Sequence, residues 1–285
     1  MISFRNINMR KGKKQILNSV DGDFVGSLGI YGENGAGKST LLRLLAMIDS
    51  PTSGEIIYHD PKVSRKHLDY IGYLPQNFHG FQDYTVEDNL TFISLSKGLK
   101  DRKQRKSIIS ELLEELNLSS YRKVKLKHLS GGTIKRVGLS QALVSKPKVL
   151  ILDEPTAGVD LTEQLRIRLF LNGLKEKGVK LIICSHNLED LAVLTDNILT
   201  LKDGNIVSIH KTQDVINTKL KLTEIYTDLE GINNFIKEGK IFSFTKIDEG
   251  YSVRILSTES SVSSSSKEIS NTEKLQFTLG SDRRP

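Results

Sequence analysis

Eight consecutive residues, Gly32-Glu33-Asn34-Gly35-Ala36-Gly37-Lys38-Ser39, follow the spacing G-x-x-x-x-G-K-[ST]. Glycines at those places let successive backbone N–H groups converge on phosphate oxygens, and a helix opening behind them adds its positive dipole end. The spacing puts Lys38 at the terminal phosphates of a nucleoside triphosphate and the Ser39 hydroxyl on Mg²⁺. Asp153 and Glu154 follow the apolar run Val149-Leu150-Ile151-Leu152. An aspartate at a strand end holds Mg²⁺ through water, and the next carboxylate accepts a proton from an attacking water. His186 ends another apolar run, Leu181 to Ser185, where it can donate to a γ-phosphate and orient that water. A lone strand-end histidine is more often a packing or capping residue, so its assignment leans on its neighbours. Cys184, inside the same run, reads as core.

These groups meet only if strands carry them to one sheet edge. Phe24 to Tyr31 reads as a strand running into the glycine turn, and Ser39 to Ile48 as a buried helix behind it. Val149–Leu152 and Leu181–Cys184 read as central strands of a parallel sheet covered on both faces. Asp160 and Glu163 have the spacing of a helix N-cap and its partner, and Gly173 and Gly178 end the helix that follows. That βαβ unit predicts an α/β core of P-loop NTPase type with a parallel sheet. The first thirty residues and Glu55–Tyr58 predict an antiparallel β subdomain. Residues 77–145 predict an inserted helical subdomain, with a cap at Thr85 and a stripe of Ile108, Ile109, Leu112, Leu113 and Leu116.

The expected boundary falls after residue 212. Asp203 and Gly204 make a hairpin turn before it. Beyond it, 213–285 predicts a small α+β appendage: a helix over Leu222–Lys237, then a hairpin of Lys240–Ile247 with Tyr251–Leu256. Ser257 to Ser270 holds eight serines in fourteen residues, a linker or disordered composition. So small an appendage is expected to dock on the main domain or on a twin copy.

With 285 residues, 38% hydrophobic and 26% charged, the chain is not a wholly disordered one. No segment approaches the roughly 20 apolar residues that cross a bilayer. One cysteine excludes an internal disulfide framework. Together with a start that lacks a signal-peptide core, these predict a cytoplasmic protein. The net charge of +7 is concentrated: residues 97–136 hold twelve Lys/Arg and four Asp/Glu. Such a stretch is a solvated helical face or a surface for nucleic acid, anionic lipid or an acidic partner.

Further motifs bring in a resemblance. Tyr73-Leu74-Pro75-Gln76, Leu129-Ser130-Gly131-Gly132-Thr133-Ile134-Lys135-Arg136 and Ala157-Gly158-Val159-Asp160 join those above. Six motifs over roughly residues 1–210 resemble, in order, those of the ATP-binding cassette (ABC) ATPases. The resemblance implies ATP and Mg²⁺ as ligands and ATP hydrolysis as the activity. It implies that Gly32, Asn34, Gly35, Ala36, Gly37, Lys38, Ser39 and Thr40 bind ATP, with Ser130, Gly131, Gly132 and Asp160 completing the site of an opposite subunit. Ser39, Gln76 and Asp153 become the metal contacts, and Glu154, His186 and Gln76 the catalytic set. Two departures stand out. Thr133 replaces a common glutamine, and Lys11 of Met9-Arg10-Lys11-Gly12 takes the place of the usual adenine-stacking aromatic. The second implies looser base discrimination, with GTP competing better than in relatives that carry the aromatic.

The leading expectation is the ATPase subunit of a transporter, pairing as an ATP-sandwiched homodimer or with a related subunit. It would power a separate transmembrane permease from the inner face of the cell membrane. The segment Ile71–Gln76 with Thr85–Leu90 resembles exporters of drugs, antimicrobial peptides or polysaccharides. The competing expectation is a soluble ABC-type ATPase acting on nucleic acid or ribosomes, with residues 97–136 on phosphate backbone. One cassette per chain argues against that branch, which typically carries two.

Overall fold

A computed structural model describes residues 1–60, 70–216, 220–227, 230, 241–247, 250–258 and 266–268. The chain divides into two compact units, Met1–Ile209 and His210–Pro285. The first opens with two long strands, β1 (Ile2–Lys11) and β2 (Lys14–Phe24). Gly26, at φ +86°, breaks the chain before β3 (Leu28–Gly32), so Phe24 to Tyr31 is not the single strand expected. Helix α1 (Lys38–Leu45) follows the glycine turn and buries Leu41, Leu42, Leu44 and Leu45. Next come β4 (Ser53–Tyr58) and β5 (Ile71–Leu74). β1 pairs antiparallel with both β2 and β4, giving the order β2-β1-β4.

The insert comprises α2 (Val86–Ser96), α3 (Arg102–Glu115) and α4 (Gly131–Leu143), with two short 3-10 turns between α3 and α4. The Thr85 side chain accepts from Asp88 N, the cap expected there. The Ile108 to Leu116 stripe is buried throughout.

The core sheet is completed by β6 (Val149–Asp153), β7 (Lys180–Cys184), β8 (Asn197–Lys202) and β9 (Asn205–Lys211), with α5 (Leu161–Glu176) and α6 (Leu188–Leu194) between them. The strand order is β5-β6-β7-β3-β8-β9, and β5, β6, β7, β3 and β8 pair in parallel. Every residue of β6 is buried, as a strand covered on both faces requires. α5 runs through Gly173 and stops only where Gly178 takes φ +87°, because a glycine inside a helix costs stability without ending it. Leu41 and Leu42 of α1 and Leu28, Ile30, Ile151 and Ile182 of the sheet are fully buried in one core cluster. Truncating one of them, Leu42→Ala, costs about 2–5 kcal/mol.

The second unit holds α7 (Thr212–Ile216) and the strands β10 (Leu220–Thr227), β11 (Ile241–Ile247), β12 (Gly250–Thr258) and β13 (Ser266–Glu268). They form one sheet, β11-β12-β10-β13. The β11–β12 hairpin is the one expected. The expected helix over Leu222–Lys237 is wrong at its start. Residues 220–227, rich in Thr, Ile and Tyr, form a strand in continuous register with β12. Residues 228–229 and 231–237 lie outside the described residues. The serine-rich stretch is likewise strand at Ser257–Thr258 and Ser266–Glu268, and its remaining positions lie outside the described residues.

Candidate functional site

Parallel pairing puts the C-terminal ends of β3, β5, β6 and β7 at one edge of the sheet, where ligands of such sheets bind. There a cleft of about 500 Å³ is lined by Asn34, Gly35, Gly37, Lys38, Ser39, Thr40, Gln76, Asp153, Glu154 and His186. The catalytic and metal positions expected from sequence therefore converge. Gly32 ends β3, and Ala36 is buried behind the loop. A second cavity of about 320 Å³, apolar and lined by Leu112, Leu143, Phe170 and Leu174, lies away from these residues.

The loop conformation explains its glycines. Gly37, the N-cap of α1, has φ +102°, and a Cβ there would meet Leu17 Cδ2 at 2.8 Å and Ile16 O at 3.0 Å. Gly35, at φ +85°, faces open space instead, which leaves the loop's amides accessible to an anion. The Lys38 ammonium, almost fully buried, donates to Gly32 O at 2.9 Å and Glu33 O at 2.8 Å. It is thus held across the loop it would share with phosphates.

Glu154 is buried and sits at φ +53°, a left-handed backbone for a residue with a Cβ. Its amide donates to Cys184 O at 2.9 Å, and Lys135 of α4 donates to Glu154 O at 2.6 Å and Ala157 O at 3.2 Å. The first residues after β6 are thereby fastened to β7 and to α4. Burial pushes the Glu154 carboxyl up from the usual glutamate range, against the nearby His186. Burial also lowers the Lys135 ammonium and drives the Cys184 thiol far up, so Cys184 stays a protonated wall residue. His186 Nε2 lies 3.4 Å from Glu154 Oε1 and 3.1 Å from Asn34 Oδ1. A carboxylate that holds a proton readily, beside an imidazole at the end of a phosphate loop, is suited to activating water. Ser39, Gln76 and Asp153 present hard oxygen donors to the same cleft, so they fit Mg²⁺ held mainly by phosphates and water.

Ser130, Gly131, Gly132 and Asp160 do not line this cleft. They form a group of their own. Ser130 caps α4, and the Asp160 side chain caps α5 by accepting from Glu163 N at 3.0 Å. A Cβ on Gly132 would reach Val159 at 3.4 Å, so the two caps are neighbours. Ser130 Oγ accepts from Thr133 N at 3.3 Å and lies 2.9 Å from Thr133 Oγ1, which itself accepts from Arg136 at 3.3 Å. Either hydroxyl of the Ser130–Thr133 pair can donate to the other.

Several neighbours escaped the sequence reading. Lys14, Ile16 and Cys184 line the cleft, whereas Lys11 does not. Fully buried Asp190 of α6 accepts from Thr156 Oγ1 at 2.5 Å, Ser185 Oγ at 2.9 Å and Arg168 Nε at 3.0 Å. One carboxylate so ties together the segments that follow Glu154 and precede His186.

The ABC transporter family matches residues 26–157. The chain is 35% identical over 221 residues to the zinc import ATP-binding protein ZnuC of Haemophilus influenzae, covering 76% of each chain. It is 32% identical over 209 residues to the lantibiotic transport ATP-binding protein SrtF of Streptococcus pyogenes, covering 73% of this chain and 89% of that one. Among solved structures, the cassette MJ0796, a dimer bound to ADP and Pi, superposes with a TM-score of 0.67 at 25% identity. That match covers 74% of this chain and 98% of the cassette.

Proposed function

The chain belongs to the ABC transporter family of ATP-hydrolysing subunits, and from that premise we propose an exporter subunit working as an ATP-sandwiched dimer. One observation carries the dimer: the phosphate cleft and the Ser130–Asp160 group are each well formed, yet separate within one chain. ATP bound in the cleft of one copy is closed by the Ser130 end of α4 from its mate. The Ser130 hydroxyl and the amides of the helix tip meet the γ-phosphate.

In the closed site, Lys38 exchanges its two loop carbonyls for phosphate oxygens. His186, steadied by Asn34, donates to the γ-phosphate, and Glu154 takes the proton of the attacking water. Mg²⁺, when bound by Ser39, Asp153 and Gln76, spreads the negative charge of the phosphates. Hydrolysis reopens the dimer, and the reopening drives a membrane-embedded partner.

No helix among the described residues is long and apolar enough to cross a membrane. We assign the membrane path to a separate permease and its landing place to Phe81, Tyr84 and Phe92. These three exposed rings pack on one another, with centroids 4.9–6.1 Å apart, just beyond Gln76. The exporter direction rests on the resemblance around Ile71–Leu90. Gel filtration of Glu154→Gln with ATP tests the dimer: a nucleotide-bound pair is expected, and a monomer under saturating ATP contradicts it. Purifying the tagged chain with the product of a neighbouring membrane-protein gene tests the rest. Nucleotide-stimulated efflux from cells carrying both supports export, and uptake opposes it.

A further inference from the structure

Much of the basic stretch seen in the sequence is paired in three dimensions. Arg122 and Lys123 pair with Glu87, Lys127 with Asp83, and Arg136 with Glu163. Lys135 is buried on carbonyl oxygens. The charges around the start of α3 are different. Lys100, Arg102, Lys103 and Lys106 are exposed, and none makes an ion pair among the described residues. Arg105 beside them is turned back onto the carbonyls of Leu99 and Lys100. Asp101, the one acid among them, is occupied capping the helix through Gln104 N at 2.7 Å.

Their arrangement opposes the helix that carries them. α3 has no acid in its first turn and no base in its last. Its bases crowd the positive end of the dipole, and Glu111, Glu114 and Glu115 crowd the negative end. Arg102 and Lys106 also stand at i,i+4, a repulsive like-charge pair. Folding alone favours the opposite order, so the clustered charge serves something outside the fold. Leu95, close to half exposed at the end of α2, precedes the cluster by a few residues. Unpaired bases following an exposed aliphatic side chain suit an anionic bilayer surface, which takes ammonium groups at its headgroups and apolar tips just below them.

We infer that the α2–α3 tip, with Lys100, Arg102, Lys103 and Lys106 as its charged face and Leu95 as its apolar edge, binds the anionic lipid surface next to the permease. This inference rests on the transporter reading for what brings the tip to a membrane, but the lipid contact itself needs no partner.

The test is flotation of the purified full chain with vesicles of phosphatidylcholine containing about 30 mol% phosphatidylglycerol, against phosphatidylcholine alone. Expected is binding to the anionic vesicles only, declining as salt rises from about 0.05 to about 0.3 M. The quadruple variant Lys100→Glu, Arg102→Glu, Lys103→Glu, Lys106→Glu is expected to bind at least about tenfold more weakly. A control of equal charge change, Lys123→Glu, Lys127→Glu, Lys146→Glu, Lys177→Glu, removes bases that already have carboxylate partners and is expected to bind at least about fivefold better than the quadruple variant. ATP hydrolysis in each variant reports that the fold is kept. Where the reversals unfold the chain, the neutral variant with glutamine at the same four positions replaces them. Equal binding to neutral vesicles, or unchanged binding by the quadruple variant, would overturn the inference. So would an RNA oligonucleotide that binds through these four residues while anionic vesicles do not. Failure here leaves co-purification with the membrane partner and ATP-driven pairing of Glu154→Gln intact, whereas failure of the transporter reading removes the co-purification and leaves the vesicle binding in place.

Discussion

The N-terminal ends of α1 and α4 are built alike and finished differently. Each helix has glycine at its opening, Gly37 as the cap of α1 and Gly131 and Gly132 as the first residues of α4, so first-turn amides are open to an anion. At α1 the chain supplies the surroundings: a buried lysine, the ends of β6 and β7, and a cleft to hold phosphates. At α4 it supplies a capped serine with an exposed glycine, Gly131, around which a Cβ would touch nothing. Anion-binding geometry is therefore present twice, but only one copy has walls. The other is the closing half of a site that another chain provides.

The largest effect expected on the walled end is at Glu154. Glu154→Gln keeps the shape and removes the base, so kcat for ATP falls by about 10²–10⁴-fold while nucleotide still binds. A steady-state assay with a binding titration checks both. The same variant carries a stability signature of determinate sign. The folded state raises the Glu154 pKa, so the carboxyl's favourable contribution is complete below the unfolded glutamate range and is lost as pH climbs through the raised value. Nucleotide-free Glu154→Gln should thus gain thermal stability over wild type as pH rises from acid toward neutral, and calorimetry across that range measures the gap.

Next in size is Asp190, which braces the walled end from behind. Asp190→Ala takes from Arg168 its buried partner, leaving it the half-exposed Glu189, and frees two hydroxyls, costing about 3–5 kcal/mol in urea denaturation. The comparison itself is sharpened by two glycines. Gly37→Ala forces a side chain into φ +102° against Leu17, and should cost about 1–3 kcal/mol of stability. Gly131→Asp adds its Cβ where nothing lies within 4 Å, at an exposed helix N-terminus that favours an acid, so its melting temperature should stay within about 1 °C of wild type. Its ATP-driven pairing, read by gel filtration in a Glu154→Gln background, should nevertheless be lost. The smallest expected effect concerns the base. Lys11→Tyr should tighten ATP over GTP by roughly 0.5–1.5 kcal/mol, the worth of a ring stack, in competition titrations.

What the sequence made legible follows from how local the cause is. The phosphate loop, the Thr85 and Asp160 caps and the β6 and β7 strands depend on adjacent residues, and each stands where spacing put it. Asp190 could not be read, because its partners at 156, 168 and 185 meet only after three elements have packed. The wall made by Lys14 and Ile16 was hidden for the same reason, since it depends on β2 passing beside the loop. Residues 222–227 carry Leu, Thr, Ile and Tyr at spacings that suit either a helix or a strand, and pairing with β12 decides for the strand. Charge summed over 97–136 could not distinguish bases with partners from bases without them.

Mixing two inactive variants puts the shared site to its most direct trial. Lys38→Ala spoils the walled end and Gly131→Asp the open one, and each homodimer should be unable to hydrolyse ATP. Subunit exchange between them creates dimers in which one site has both ends intact, so activity should return to roughly a quarter of wild type. If the mixture stays as inactive as its parents while exchange is verified, the two ends do not serve one nucleotide across two chains, and the account fails.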